Sequence, residues 1–184
     1  MFGDSTLFNF EFLDKINMLV RDENLRLENT IEIENEIFNQ SNCQCQTEYY
    51  EFDFEQKMKK NFQSGVTQVG YELVIVGLYK HSELHLKSSV SLLLPNISSA
   101  KSKDYALLQS KLDDYQAIDE LRLINNSIKH QGKVSPQLAN SYSSWVLGDD
   151  LGDLSNVYER LKYKVKNYIV AHETYLKHEK LKYV

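Results

Sequence analysis

The sequence predicts an all-α protein, an up-and-down bundle of four long helices. Three observations predict it. Apolar residues recur at three- and four-residue steps along nearly the whole chain, the period of a helix with one buried face. Two prolines and seven glycines in 184 residues are too few for a many-turned β fold. The helical patterns are parted by short polar stretches, so neighbouring helices run antiparallel.

In chain order, Phe12, Ile16, Leu19, Leu27, Ile31 and Ile37 keep helical spacing and predict a first helix, with a break near Asp22 to Asn24. NQSNCQCQTE then reads as a polar loop. Its Cys43 and Cys45 are the chain's two cysteines, and a structural zinc site draws four ligands, normally from two spaced pairs, so this C-x-C reads as filler. A second helix is predicted from Glu51 to Ser88, with Phe62, Val66, Val69, Leu73, Val76 and Leu84 as its inward stripe. The single Gly77 within ELVIVGLY makes neither a phosphate loop nor a dinucleotide fingerprint. His81 and His85 have the spacing of a two-histidine metal pair. They lack the glutamate that directly follows the first histidine in a metalloprotease helix and read as an ordinary pair.

Pro95 ends that element. A third helix is predicted from about Lys103 to Gly132, with Leu108, Leu112, Tyr115, Leu121, Ile124 and Ile128 inward. The stretch from Gln137 to Gly152 reads as irregular or as one short helix. Asp153 or Ser155 then caps a last helix, with Leu161, Val165, Tyr168, His172 and Leu176 inward. His172 lies on that apolar line and reads as a buried core imidazole. No repeat or linker stands out, so residues 1–184 read as one domain: residues 1–50 form the first helix and loop, and residues 51–184 the bundle.

Composition narrows the function classes. The chain is 42% hydrophobic and 26% charged, ordinary for a soluble globular protein, and at this length it can bury roughly 70% of its extended surface. There is no apolar run of transmembrane length, and the first residues lack a basic region and cleavage site, so the expected location is cytoplasmic with no membrane partner. A net charge of −5 gives no global attraction to nucleic acid, although the C-terminal stretch is locally basic.

The richest chemistry sits in IDELRLINNSIKHQGKVS. Asp119, Arg122, Asn126 and His130 form a polar stripe on the helix opposite Leu121, Ile124 and Ile128. Lys129 and His130 occupy the last turn, where the helix dipole favours cations, and Gly132 sits where a helix normally ends. A solvated face also mixes charges. The two asparagines followed by a histidine at a glycine turn are less ordinary.

This arrangement resembles the HEPN superfamily, helical bundles whose penultimate long helix carries Arg-Asn, three variable residues and His. The register here reads Asn125, Asn126, Ser127, Ile128, Lys129, His130. GLYKHSELHLKS, with Glu83, is similar to a second-helix pattern common in such bundles. The resemblance spans Gly65 to Tyr175 and leaves the first helix as an N-terminal extension. It departs at the arginine, whose place is taken by Asn125; Arg122 lies one turn earlier. The resemblance implies either a metal-independent, dimeric endoribonuclease of a toxin–antitoxin or anti-phage system, or a catalytically degenerate module that binds RNA or a partner protein such as an antitoxin.

In the catalytic reading no metal or cofactor is called for. His130 moves the 2′-hydroxyl proton, Asn126 orients substrate or imidazole, and Lys129 or Arg122 supplies the charge that the arginine would bring at Asn125. A homodimer burying the third-helix stripe would double these groups.

Overall fold

The computed structural model describes residues 8–41, 45–93, 109–130 and 132–181. Most of these residues are helical, in α1 (Glu11–Gln40), α2 (Gln46–Leu93), α3 (Tyr115–His130), α4 (Pro136–Ser141) and α5 (Leu154–Leu181). One isolated bridge, Lys133 to Asp150, is the nearest thing to a strand among them. No described helix is long and apolar enough to cross a membrane. The chain forms two compact units, residues 14–73 and residues 1–13 with 74–184.

The unit of residues 14–73 is an antiparallel hairpin of α1 and α2 segments. Helix α1 runs unbroken through Asp22–Asn24, where the sequence predicts a break. Local side-chain bonds span that point: Arg26 to Glu23 at 2.6 Å and Asn24 to Glu28 at 2.8 Å. The seam facing α2 is polar. Asn24 Oδ1 accepts from Gln63 Nε2 (3.0 Å) and Thr67 Oγ1 (2.9 Å), while Glu34 accepts from Gln56 (2.9 Å) and Lys59 (2.7 Å). Phe38 stacks on Phe52 at 3.9 Å, near the far end. At Gly70 a Cβ would stand 2.7 Å from the Val20 side chain, so the glycine lets the helices close up there. Asn17, Ile31, Gln56 and Gln63 are the fully buried residues described in this unit. Three are amides.

The predicted inward stripe of α2 faces outward here. Phe62 is 70% exposed, Leu73 62% and Val69 55%. The physical reason is that α2 is amphipathic about two directions. The seam takes the face of Gln56, Gln63 and Gly70, and the apolar stripe lies about 120° round the helix from it. Helix α2 also extends past both predicted ends, beginning where the Tyr49 N–H meets the Cys45 carbonyl at 3.2 Å.

The second unit holds the main core. Val74, Ile75 and Leu78 of α2 are buried in it, as are Leu121 and Ile124 of α3, Leu138 of α4 and Phe8 before α1. Helix α5 buries all five of its predicted inward residues, and Asp153 caps it through the Asn156 N–H at 3.1 Å. Helix α3 starts later than predicted. Residues 110–114 form a turn, and Asp114 adopts φ 59°, a left-handed conformation that interrupts a right-handed helix. Leu108 lies outside the described residues, Leu112 and Tyr115 are half-buried, and Ile128 is only partly covered. Gly132 has φ 66° and its N–H reaches the Ser127 carbonyl at 3.0 Å, closing α3 as the sequence predicts. Ser135 then caps α4 by accepting from the Leu138 N–H, with Pro136 at the first helical position.

Candidate functional site

Helix α3 carries all five residues nominated from the sequence, and its packing gives them different fates. Its apolar face lies against α5, which leaves Arg122, Lys129 and His130 exposed and Asn126 half-buried. Arg122 is engaged by its own helix: Nη2 and Nε both reach Asp119 Oδ1, at 2.7 and 3.2 Å. The Tyr142 hydroxyl, from just past α4, shares its proton between the Gln116 carbonyl (2.9 Å) and Asp119 Oδ2 (3.1 Å). Burial and then the Asp119 charge push the Tyr142 hydroxyl's pKa well above the ordinary phenol value. Arg122 lies eight residues from His130, about 12 Å along the axis at 1.5 Å per residue.

Asn125 is on the other side of α3, fully buried. Neither its amide nitrogen nor its amide oxygen has a hydrogen-bond partner among the described residues. A buried amide in that state is destabilising by itself. So the position that the HEPN-like register assigns to an arginine faces the interior, while the neighbouring Asn126 is half open.

A second constellation on α3 was not nominated from the sequence. Glu120, 5% exposed, accepts from Nη2 and Nη1 of Arg160 on α5, at 2.7 and 2.8 Å, and from Trp145 Nε1 at 2.8 Å. Burial alone would raise its pKa. The hydrogen bonds from Arg160 and Trp145, with the positive charges of Arg160 and Lys164, outweigh that and bring it below the usual glutamate value. The available signal was a lone carboxylate set among Ala117, Leu121 and Ile124, on the face that must be buried.

Glu120 also lines a cleft of about 870 Å³, together with Asp114, Tyr115, Asp119, Tyr142, Arg160 and Lys164. Glu120→Ala should therefore cost about 2–4 kcal/mol. The loss sits below the full penalty of a wholly buried pair because Arg160 still reaches solvent, and urea unfolding reads it directly.

The histidines of α2 diverge. His81 stacks on Phe8 at 4.5 Å between ring centres, while His85 Nε2 lies 2.6 Å from Glu173 Oε1 of α5. Ser89 also donates to Glu173, at 3.3 Å. His172 is buried beside this pair, and burial, then the His85 charge, lowers its pKa to about 4. Glu83 sits between Lys80 (2.8 Å) and Lys87 (2.9 Å), and their hydrogen bonds lower its pKa to about 2. Among the described residues no group of three His, Cys, Asp or Glu side chains is arranged to hold a metal. Cys45 is exposed, and Cys43 lies outside the described residues. No protein-family model, curated protein or solved structure matches this chain.

Proposed function

We propose that this chain is a catalytically degenerate HEPN-like module that works by binding a partner protein. The observation that carries this reading is the placement of Asn125. Metal-free RNA cleavage needs a fixed cation beside the general base, to offset the charge that develops at phosphorus. At the register position where the family's arginine would stand, this chain has an uncharged amide inside the core. The nearby Arg122 is neutralised by Asp119, roughly two turns from His130. Lys129 is left beside His130, and a lysine gives a single mobile point charge where two-point phosphate recognition is needed.

The cleft between α3 and α5 favours a protein over RNA. On its described wall Arg160 is held by Glu120 and Asp119 by Arg122, so the lining presents no cluster of unpaired cations to grip a phosphate backbone. The two-fold packing of α3 stripes, with RNA as substrate, belongs to the nuclease reading and stands or falls with it in the following experiment.

Incubating wild type and His130→Ala with total RNA in EDTA tests this. We expect no cleavage that depends on His130. Fragments with 2′,3′-cyclic phosphate ends, formed by wild type and reduced about 10²-fold or more in His130→Ala, would overturn the binding-module reading in favour of the ribonuclease.

A further inference from the structure

We propose that the outward apolar face of the α1–α2 hairpin is where two copies of this chain associate. Helix α2 packs antiparallel on the partner's α2, about a two-fold axis level with residues 63 and 64. This goes beyond the binding-module reading, concerns a different surface, and holds whether or not that reading does.

The face is built by both helices. On α2 it comprises Phe54, Met58, Phe62, Val66, Val69 and Leu73, exposed by 66, 55, 70, 46, 55 and 62%. Successive steps of four, four, four, three and four residues keep them on one side of the helix. On α1, Leu19, Ile33 and Ile37 are also more than half exposed. At 100° per residue their offset from the seam has the same sense as that of the α2 stripe. In an antiparallel pair, equal senses project to the same side. The hairpin therefore has one apolar flank about 30 Å long.

The hairpin needs that flank covered. Its seam buries Asn17, Gln56 and Gln63 with a single fully buried aliphatic residue, Ile31, and amide pairs exchanged against water add little net stability. The apolar area that would stabilise a two-helix unit lies outside instead. The area also fits a second copy. At roughly 100 Å² of exposed side chain apiece, these residues offer on the order of 800 Å² per chain, each partner's share of a standard interface.

Shape then selects the register. The α2 stripe runs from Phe54 to Leu73, and its midpoint falls between residues 63 and 64. A two-fold axis there sets Phe54 against the partner's Leu73, Met58 against the partner's Val69, and Phe62 against the partner's Gly65. Phe62 is the most exposed ring of the stripe. A Cβ placed on Gly65 would meet nothing within 4 Å, so the glycine leaves an open notch one turn from that ring. The stripe thus carries a knob and a hole equidistant from its centre, the self-complementarity that an isologous interface requires. Two hairpins joined this way form an antiparallel four-helix bundle with the apolar stripes inside.

Sedimentation of the full chain tests this, with circular dichroism on every sample. Wild type should be a dimer at micromolar concentration. Phe62→Glu and Gly65→Leu should each weaken dimerisation roughly 30-fold or more, the scale of an interface hot spot. Leu147→Glu, at an exposed loop position, should not. Gly65→Leu separates association from folding, because leucine favours the helix and nothing crowds it in the monomer, so helix content holds or rises as the dimer is lost. A monomeric wild type would overturn the proposal and leave the face to another protein. A dimer indifferent to both substitutions would place the contact elsewhere and overturn it too. Loss with Phe62→Glu but not with Gly65→Leu would overturn the antiparallel register.

Discussion

Asn125→Arg should unfold the protein instead of completing an RNA-cleaving motif. The sequence alone suggests the opposite, because arginine at this position restores the register of the HEPN-like pattern. The site decides otherwise. Asn125 is fully buried on α3, and its own small amide already lacks partners for both polar atoms. A guanidinium there adds three heavy atoms of length and a charge to a space with no described group to receive either. Unpaired buried charge and overpacking both belong to the short list of changes that cost more than about 4 kcal/mol. That is a large part of the stability of a domain this size. Asn125→Leu should move the other way and gain about 1–2 kcal/mol, since it removes an unsatisfied amide while keeping the same number of side-chain heavy atoms. Urea midpoints of the two variants against wild type settle the matter. An Asn125→Arg protein with a wild-type midpoint would mean that the side chain escapes to solvent and that the catalytic reading regains its cation.

Acid should destabilise the protein well before its carboxylates titrate. His172 is buried, and its pKa is lowered to about 4 from an ordinary 6.5, first by burial and then by the charge of His85. Between those values the unfolded chain binds a proton at this residue and the folded chain does not, so stability falls as pH falls. The contribution is fully present above about pH 6.5 and is lost on the way to about pH 4. A shift of that size corresponds to on the order of 3 kcal/mol. His81 is lowered by burial, then by His85, and adds slope of the same sign. Glu83 acts later, because its pKa of about 2 places its loss between about pH 4.5 and pH 2. Unfolding free energies from pH 7 to pH 4, for wild type and His172→Gln, check the assignment. The variant should show a clearly flatter dependence, and an unchanged slope would move the effect to another group.

The main inward row of α5 was legible in the sequence because it keeps one helical period, whereas the buried Lys162 and Glu173 beside it were not. Leu161, Val165, Tyr168, His172 and Leu176 line a single apolar face, and Asp153 starts it with an ordinary cap. The end of α3 was legible for a similarly local reason, the positive φ of Gly132. Helix α2 misled because hydrophobicity does not mark its buried side in the hairpin. Asn24, Gln63 and Thr67 form the seam through hydrogen bonds between residues 39 and 43 apart, which no local period encodes. The same distance in sequence hid the Glu120 constellation, whose partners Trp145 and Arg160 lie 25 and 40 residues downstream. The difference between Asn125 and Asn126 was lost to a single helical step. One hundred degrees of rotation separates a core amide from a half-open one.

The amide-lined seam makes α2 one unbroken helix with two protection regimes. Backbone protons exchange through local openings, and the free energy of an opening follows the apolar area it must expose. From Gln46 to Leu73 the helix is backed by glutamine, threonine and glycine, whereas from Val74 onward Val74, Ile75 and Leu78 are locked into the main core. In the isolated monomer, deuterium should enter the N-terminal half early and the C-terminal half late, with the step falling near Leu73 and Val74 and not at any helix end. Raising the protein concentration should slow the early half alone.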